Sequence, residues 1–410
     1  MATEGLLTGF QALDLTDQKG FICGYILSAL GVETILVENP VRNLSRGIPP
    51  FLKEAGKQES LYWRAFNRGK RSITLNLETY RGRELFLCLV EKADFVFESF
   101  APGYLENIGL GYETLEKINP HIIMTSITPF GQRGPHARYH ASELIISAMS
   151  GLMAGNGEPD RPPLKEGPDT MSFDGGAAAA LATVIAHNHR QLTGEGQHID
   201  VSLQEVGALR PSTNLMLWEF EKTFLKRNGV IRNLGAKAAR WVWPCKDGYI
   251  FWCFVGGPIG APANRAISRW MDDDGGDNPL REVTDWPSLD MADLSVETFN
   301  RYEQAIGKFF LGHTTREIRD EGLMRGINAS VVNTCADVLD NKQLQNRDYW
   351  ATLEEKDCTF LAPRYFFLCN NTENVLTSDA PSPGEGNAEI YGVLGLTEKE
   401  IKGLQETGII

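Results

Sequence analysis

The feature that most constrains this chain is the alternation of short apolar strands with helical segments through its first half. Residues 12–38 read as a short strand, a helix over about 20–30, and the apolar run Thr34-Ile35-Leu36-Val37 ending at Glu38. The pattern recurs with a strand at 72–75, a helix at 80–90, a strand at 94–98, and another strand at 121–127 after a further short helix. Strands joined through helices run parallel and need apolar cover on both faces, so the spacing predicts an α/β fold with a mostly parallel sheet. Ligands in such sheets collect beyond the carboxyl ends of the strands. The turns that matter most are therefore Glu38-Asn39-Pro40, the stretch 98–103 and the stretch 128–135.

At 410 residues the chain suggests two domains. Trp-rich strands at 239–243 and 249–254 around a Lys-Asp-Gly turn predict a smaller central domain over 228–325. The large domain then takes 1–227, and the segment 326–410 returns to it. A net charge of −13 argues against broad nucleic-acid or anionic-membrane binding, so an anionic ligand has to be held locally. No run of about 18 apolar residues suggests a membrane span, and residues 1–9 lack the pattern of a secretory signal; the expected location is cytoplasmic. The seven cysteines and seven histidines form neither a C-x-x-C nor an H-E-x-x-H pattern, and the acidic run 272–277 lacks an ordered ligand series, so no metal is expected.

Three clusters bear on chemistry. Gly151, Gly155 and Gly157 follow a predicted helix, which suits a helix stop and not a dinucleotide loop. Asp174, followed by Gly175 and Gly176, is placed to cap a long helix running to about Arg190. The same geometry suits a catalytic carboxylate, since small neighbours admit a bulky ligand and a helix N-terminus stabilises negative charge. Lys70 and Arg71 form a basic pair able to clamp a phosphate, or simply a solvated surface.

The segments NRGKRSITL (67–75), ESFAPG (98–103), IGLG (108–111), FGQRGP (130–135), AMSGLM (148–153) and TGEGQHIDVS (193–202) stand in an order that resembles the class III CoA-transferases. So does GINASVVNTCADVLDNKQLQNRD (326–348). That family also includes α-methylacyl-CoA racemase. The resemblance implies a large Rossmann-like domain, a small central α+β domain, and an interlocked-ring homodimer. It implies no permanently bound cofactor, with coenzyme A and acyl-CoA as substrates, and CoA transfer to a carboxylic acid through a carboxylate-bound acyl intermediate. By this resemblance Lys70, Arg71, Phe100, Pro102, Gly103 and Arg138 are expected at CoA. The family's basic residues after the second strand and after the Pro-Gly turn are Asn39 and Asn107 here, which shifts phosphate binding onto Lys70, Arg71, Arg42, Arg46 or Arg138.

The family's catalytic aspartate aligns with Ser172. Asp174, two residues later, is the leading replacement, and Asp169, three residues earlier, the second. The racemase branch's His–Asp pair falls on Ser142 and Glu143. The alternatives to transfer are thus α-carbon racemisation and a catalytically altered CoA-binding homologue.

Overall fold

The computed structural model describes residues 5–41, 43–54, 57–167, 169–224, 226–234, 237–355, 358–364, 366–370 and 378–410. Arg42, named above as a possible phosphate ligand, lies outside them. The chain divides into two compact units, one formed by residues 1–154, 165–224 and 345–410, the other by 155–164 and 225–344.

The larger unit is built on six strands: β1 (Gln11–Leu15), β2 (Glu33–Glu38), β3 (Arg71–Thr74), β4 (Phe95–Glu98), β5 (Ile123–Thr128) and β6 (Gln197–Ser202). They pair in the order β3-β2-β1-β4-β5-β6, every pair parallel. The order reverses between β1 and β4, which opens a crevice beyond their carboxyl ends. Alternate residues feed opposite faces: Leu13, Leu15 and Val96 enter one core with Leu85, Phe86 and Tyr391, whereas Ala12, Phe95 and Phe97 enter the other with Leu27, Ala179 and Val201. This is the period-two geometry of a sheet covered on both sides.

The helices that position the site are α1 (Phe21–Ala29), α2 (Leu61–Phe66), α3 (Tyr80–Val90), α4 (Glu143–Met149), α5 (Thr170–Thr193) and α6 (Ser212–Glu221). Helix α1 is apolar nearly all round and almost wholly buried. It packs against α5 so closely that a Cβ added at Gly176 would lie 2.6 Å from Cβ of Ile22; on another side of α5, one at Gly175 would lie 2.0 Å from Cδ2 of Leu203, just after β6. These glycines therefore serve helix packing, which corrects the expectation that they open space for a ligand. The C-terminal segment closes the β3 edge: Asn387 Oδ1 accepts from Thr74 N at 2.9 Å, and Tyr391 Oη donates to Thr74 O at 2.7 Å.

In the smaller unit Trp243, Trp252, Phe254, Phe299 and Phe310 form a buried cluster, so these tryptophans and Phe254 are core residues. Asp272 accepts from Asn278 Nδ2 and pairs with Arg281, and Asp273 pairs with Arg325 at 2.6 Å. Among the described residues no group of three or more His, Cys, Asp or Glu is placed to hold a metal, and no helix is long and apolar enough to cross a membrane.

Candidate functional site

The reversal point of the sheet carries a cavity of about 600 Å³, lined by Asp14, Thr16 and Asp17 at the carboxyl end of β1, Glu38 and Asn39 at that of β2, and Ser99 and Phe100 after β4. The walls are tied together. Ser99 Oγ donates to Asp17 Oδ1 at 2.9 Å and accepts from Asp17 N at 2.8 Å. Glu98 fixes the next turn by accepting from Phe100 N at 2.7 Å, and its buried carboxyl is pushed up to about 7, chiefly by desolvation.

A second cavity of about 1090 Å³ is lined by Pro102 and Gly103, by Gln132, Arg133 and Arg138, and by His198 and Asp200. Gly103 adopts φ +88°, a left-handed conformation that disfavours other residues. Both arginines are exposed, and among the described residues neither is paired with a carboxylate. They are the available cations of this groove, suited to a phosphate. Arg133 was not singled out in the sequence, although it stands inside the FGQRGP motif.

The other predicted cations are committed elsewhere. Lys70 Nζ is fully buried, donating to Asp14 Oδ2 (2.9 Å), Phe21 O (3.1 Å) and Asn67 Oδ1 (3.0 Å). All three of its N–H bonds are used inside the protein, which corrects its reading as a phosphate clamp. Arg71 pairs with Glu33 at 2.6 Å and Glu389 at 2.7 Å, and Arg46 grips Glu38 through two bonds of 2.7 Å. Phe100 lines the first cavity, and Pro102, Gly103 and Arg138 come together in the second.

The proposed reaction helix starts earlier than expected. Helix α5 begins at Thr170 with Asp169 as its N-cap residue, so Asp174 lies inside the helix and caps nothing. Asp174 instead lies 3.5 Å from Arg210, which also pairs with Glu166 at 2.6 Å. The free N–H groups of the first turn are taken by Glu143 at the start of α4, which accepts from Met171 N, from Ser172 N at 3.3 Å, and from Ser172 Oγ at 2.9 Å. A carboxylate from a neighbouring helix thus does the capping that the sequence suggested for Asp174.

Asp169 is left with the least encumbered carboxylate. Its backbone is left-handed at φ 51°, and among the described residues its side chain accepts no hydrogen bond. Tyr62 on α2 lies nearby: burial first, then the charges of Asp169, Glu143 and Asp17, push its phenol well above the ordinary value. These four groups share one electrostatic neighbourhood, which connects the α5 N-terminus to Asp17 in the sheet crevice. Tyr62 belongs to no quoted motif, and only folding brings it here.

The model of the family described as CoA-transferase family III matches residues 7–387. A subunit of succinyl-CoA:(R)-benzylsuccinate CoA-transferase from Thauera aromatica is 31% identical over 98% of this chain and 97% of its own length. Succinyl-CoA–D-citramalate CoA-transferase from Chloroflexus aurantiacus is 30% identical over 95% and 94%. Among solved structures, a CaiB/BaiF family protein from Brucella suis superposes with a TM-score of 0.82 at 29% identity, covering 95% of this chain and all of that one.

Proposed function

Because the chain belongs to the class III CoA-transferase family, we propose that it moves CoA between an acyl-CoA thioester and a carboxylic acid, with Asp169 as the carboxylate that carries the acyl group. Relatives named for benzylsuccinate and citramalate favour a dicarboxylic acid as one partner. The observation that carries the residue choice is the unshared Asp169 carboxylate at the amino end of a 24-residue helix. Glu143 has both oxygens engaged by the α5 N–H groups and the Ser172 hydroxyl, and Asp174 faces the Arg210 cation at 3.5 Å, which lowers its nucleophilicity.

In this scheme an Asp169 oxygen attacks the thioester carbonyl, the C–S bond breaks, and CoA leaves as thiolate with a mixed anhydride remaining. The thiolate attacks the aspartyl carbonyl, releasing the first acid and leaving an aspartyl-CoA thioester. The acceptor carboxylate attacks that thioester and expels the thiolate, giving a second anhydride. Attack of the thiolate on the acceptor's acyl carbon forms the new acyl-CoA and regenerates Asp169. Arg133 and Arg138 hold CoA phosphate, and Phe100, Pro102 and Gly103 lie along the cofactor. Mass-spectrometric mapping of the adduct formed with acyl-CoA tests the scheme.

A second reading has its own support. By the motif resemblance the family's aspartate falls on Ser172, and the Thauera aromatica relative is named as a subunit. In this reading the chain binds CoA while a different subunit supplies the carboxylate. Assembly itself is supported by apolar side chains left exposed on α5 (Leu181, Ile185, Leu192) and on α6 (Leu215, Trp218, Phe220), which a second copy or a related chain covers.

A further inference from the structure

We propose that the cavity of about 490 Å³ bounded by Tyr25, Phe66, Arg68, Phe173, Tyr349 and Phe366 binds an organic acid with an aromatic or extended apolar body, its carboxylate held by Arg68. Arg68 is 2% exposed, its Nη2 donates only to the carbonyl of Pro363 at 2.9 Å, and its Nε–H has no acceptor in the protein. Among the described residues Arg68 has no carboxylate partner.

The other buried cations described in the larger unit each face one: Arg64 meets Asp379 at 2.7 Å, Lys70 meets Asp14 at 2.9 Å, and Arg190 meets Asp94 at 3.2 Å. An isolated buried charge is costly, and an anion supplied from outside removes the cost. Arg68 is therefore the exception that calls for a ligand. Tyr25 and Tyr349 line the same cavity, and the Arg68 charge partly offsets the burial that raises the Tyr25 phenol.

The remaining walls are apolar and aromatic. Phe66 meets Phe173 edge-on at 6.3 Å between centroids, and Tyr25 meets Phe366 at 5.5 Å. Such rings accept a flat or extended hydrocarbon body, and the volume suits a small organic acid. Phe173 follows Ser172 in the first turn of α5, so the bound acid lies beside the helix end where transfer is proposed. Its identity as the acceptor rests on that transfer reading; its binding does not.

The test is calorimetry on the full-length chain without CoA, using 3-phenylpropanoate, 3-phenylpropanamide and succinate. The expected result is saturable binding of 3-phenylpropanoate, with the amide and succinate at least tenfold weaker. Arg68→Gln and Ala65→Trp should each weaken the acid at least tenfold; Ala65 is an exposed residue lining the cavity, so its variant reads the site even where loss of Arg68 prevents folding. Asp169→Asn should bind the acid normally, which separates this site from the chemistry. Equal binding of acid and amide, no saturable binding, or binding unchanged in Ala65→Trp overturns the proposal. So does an Ala65→Trp variant that sediments as a smaller species than wild type, since a second copy would then fill the cavity.

Discussion

The Ser172 hydroxyl donates to the Glu143 carboxylate across 2.9 Å, at the point where the first turn of α5 meets the start of α4. Glu143 thereby satisfies helix N–H groups that would otherwise be buried without partners. Its lone pairs are engaged in capping, which makes it a poor base for removing an α-proton. Acyl-CoA incubated with the protein in deuterated water should recover without deuterium at the α-carbon. Deuterium uptake in the absence of an acceptor acid would favour racemisation over transfer.

The same contact sets a stability prediction. Glu143→Ala removes a charged acceptor from the α5 N-terminus and should cost about 2 kcal/mol, whereas Ser172→Ala should cost about 1 kcal/mol or less. Urea unfolding of the two variants checks the order. A Ser172→Ala variant as damaged as Glu143→Ala would show that the hydroxyl, and not the helix cap, dominates.

Lys70 and Arg138 should separate cleanly in steady-state kinetics. Arg138→Ala removes a solvent-facing cation from the larger cavity, and we expect KM for acyl-CoA to rise about tenfold, near 1.4 kcal/mol, with little change in kcat. Lys70→Met leaves the buried Asp14 unpaired and should lower stability by about 3 kcal/mol or more. A folded Lys70→Met enzyme with normal stability and a raised KM would restore Lys70 as a phosphate ligand.

Glu98 gives a pH prediction with a definite sign. Burial raises its carboxyl from the ordinary 4.5 to about 7, so the folded protein holds this proton more tightly than the unfolded chain does. The resulting stabilisation is complete below about pH 4.5 and is lost as pH rises through about 7, with a magnitude on the order of 3 kcal/mol. Glu98→Gln should remove that part of the slope. Glu303 is raised to about 7 by the same cause, so the comparison needed is wild type against Glu98→Gln at about pH 5 and pH 8. Identical pH dependence in the two proteins would contradict the assignment.

The sequence made the sheet legible because its strands are short runs of four to six residues that alternate with helical segments; α3 spans 80–90 as read. It was also enough to identify the family, since ordered motifs survive where single ones are ambiguous. The site was less legible, for physical reasons. Lys70 and Arg71 look alike in sequence, yet Lys70, just before β3, is buried against Asp14, and Arg71, the first residue of the strand, reaches Glu33 at the surface. Asp174 reads as an N-cap because two glycines follow it, but those glycines answer to Ile22 and Leu203, which lie far away in sequence. Tyr62 and Arg68 gain their roles only from partners brought in by folding.

Peptide mapping after incubation with acyl-CoA and a hydroxylamine quench reads directly whether Asp169 carries the acyl group. The expected result is a hydroxamate on Asp169 in wild type and in Asp174→Asn, with no adduct in Asp169→Asn and transfer reduced roughly 10³-fold or more. A modified Asp174, a modified Glu143, or full transfer by Asp169→Asn would contradict it.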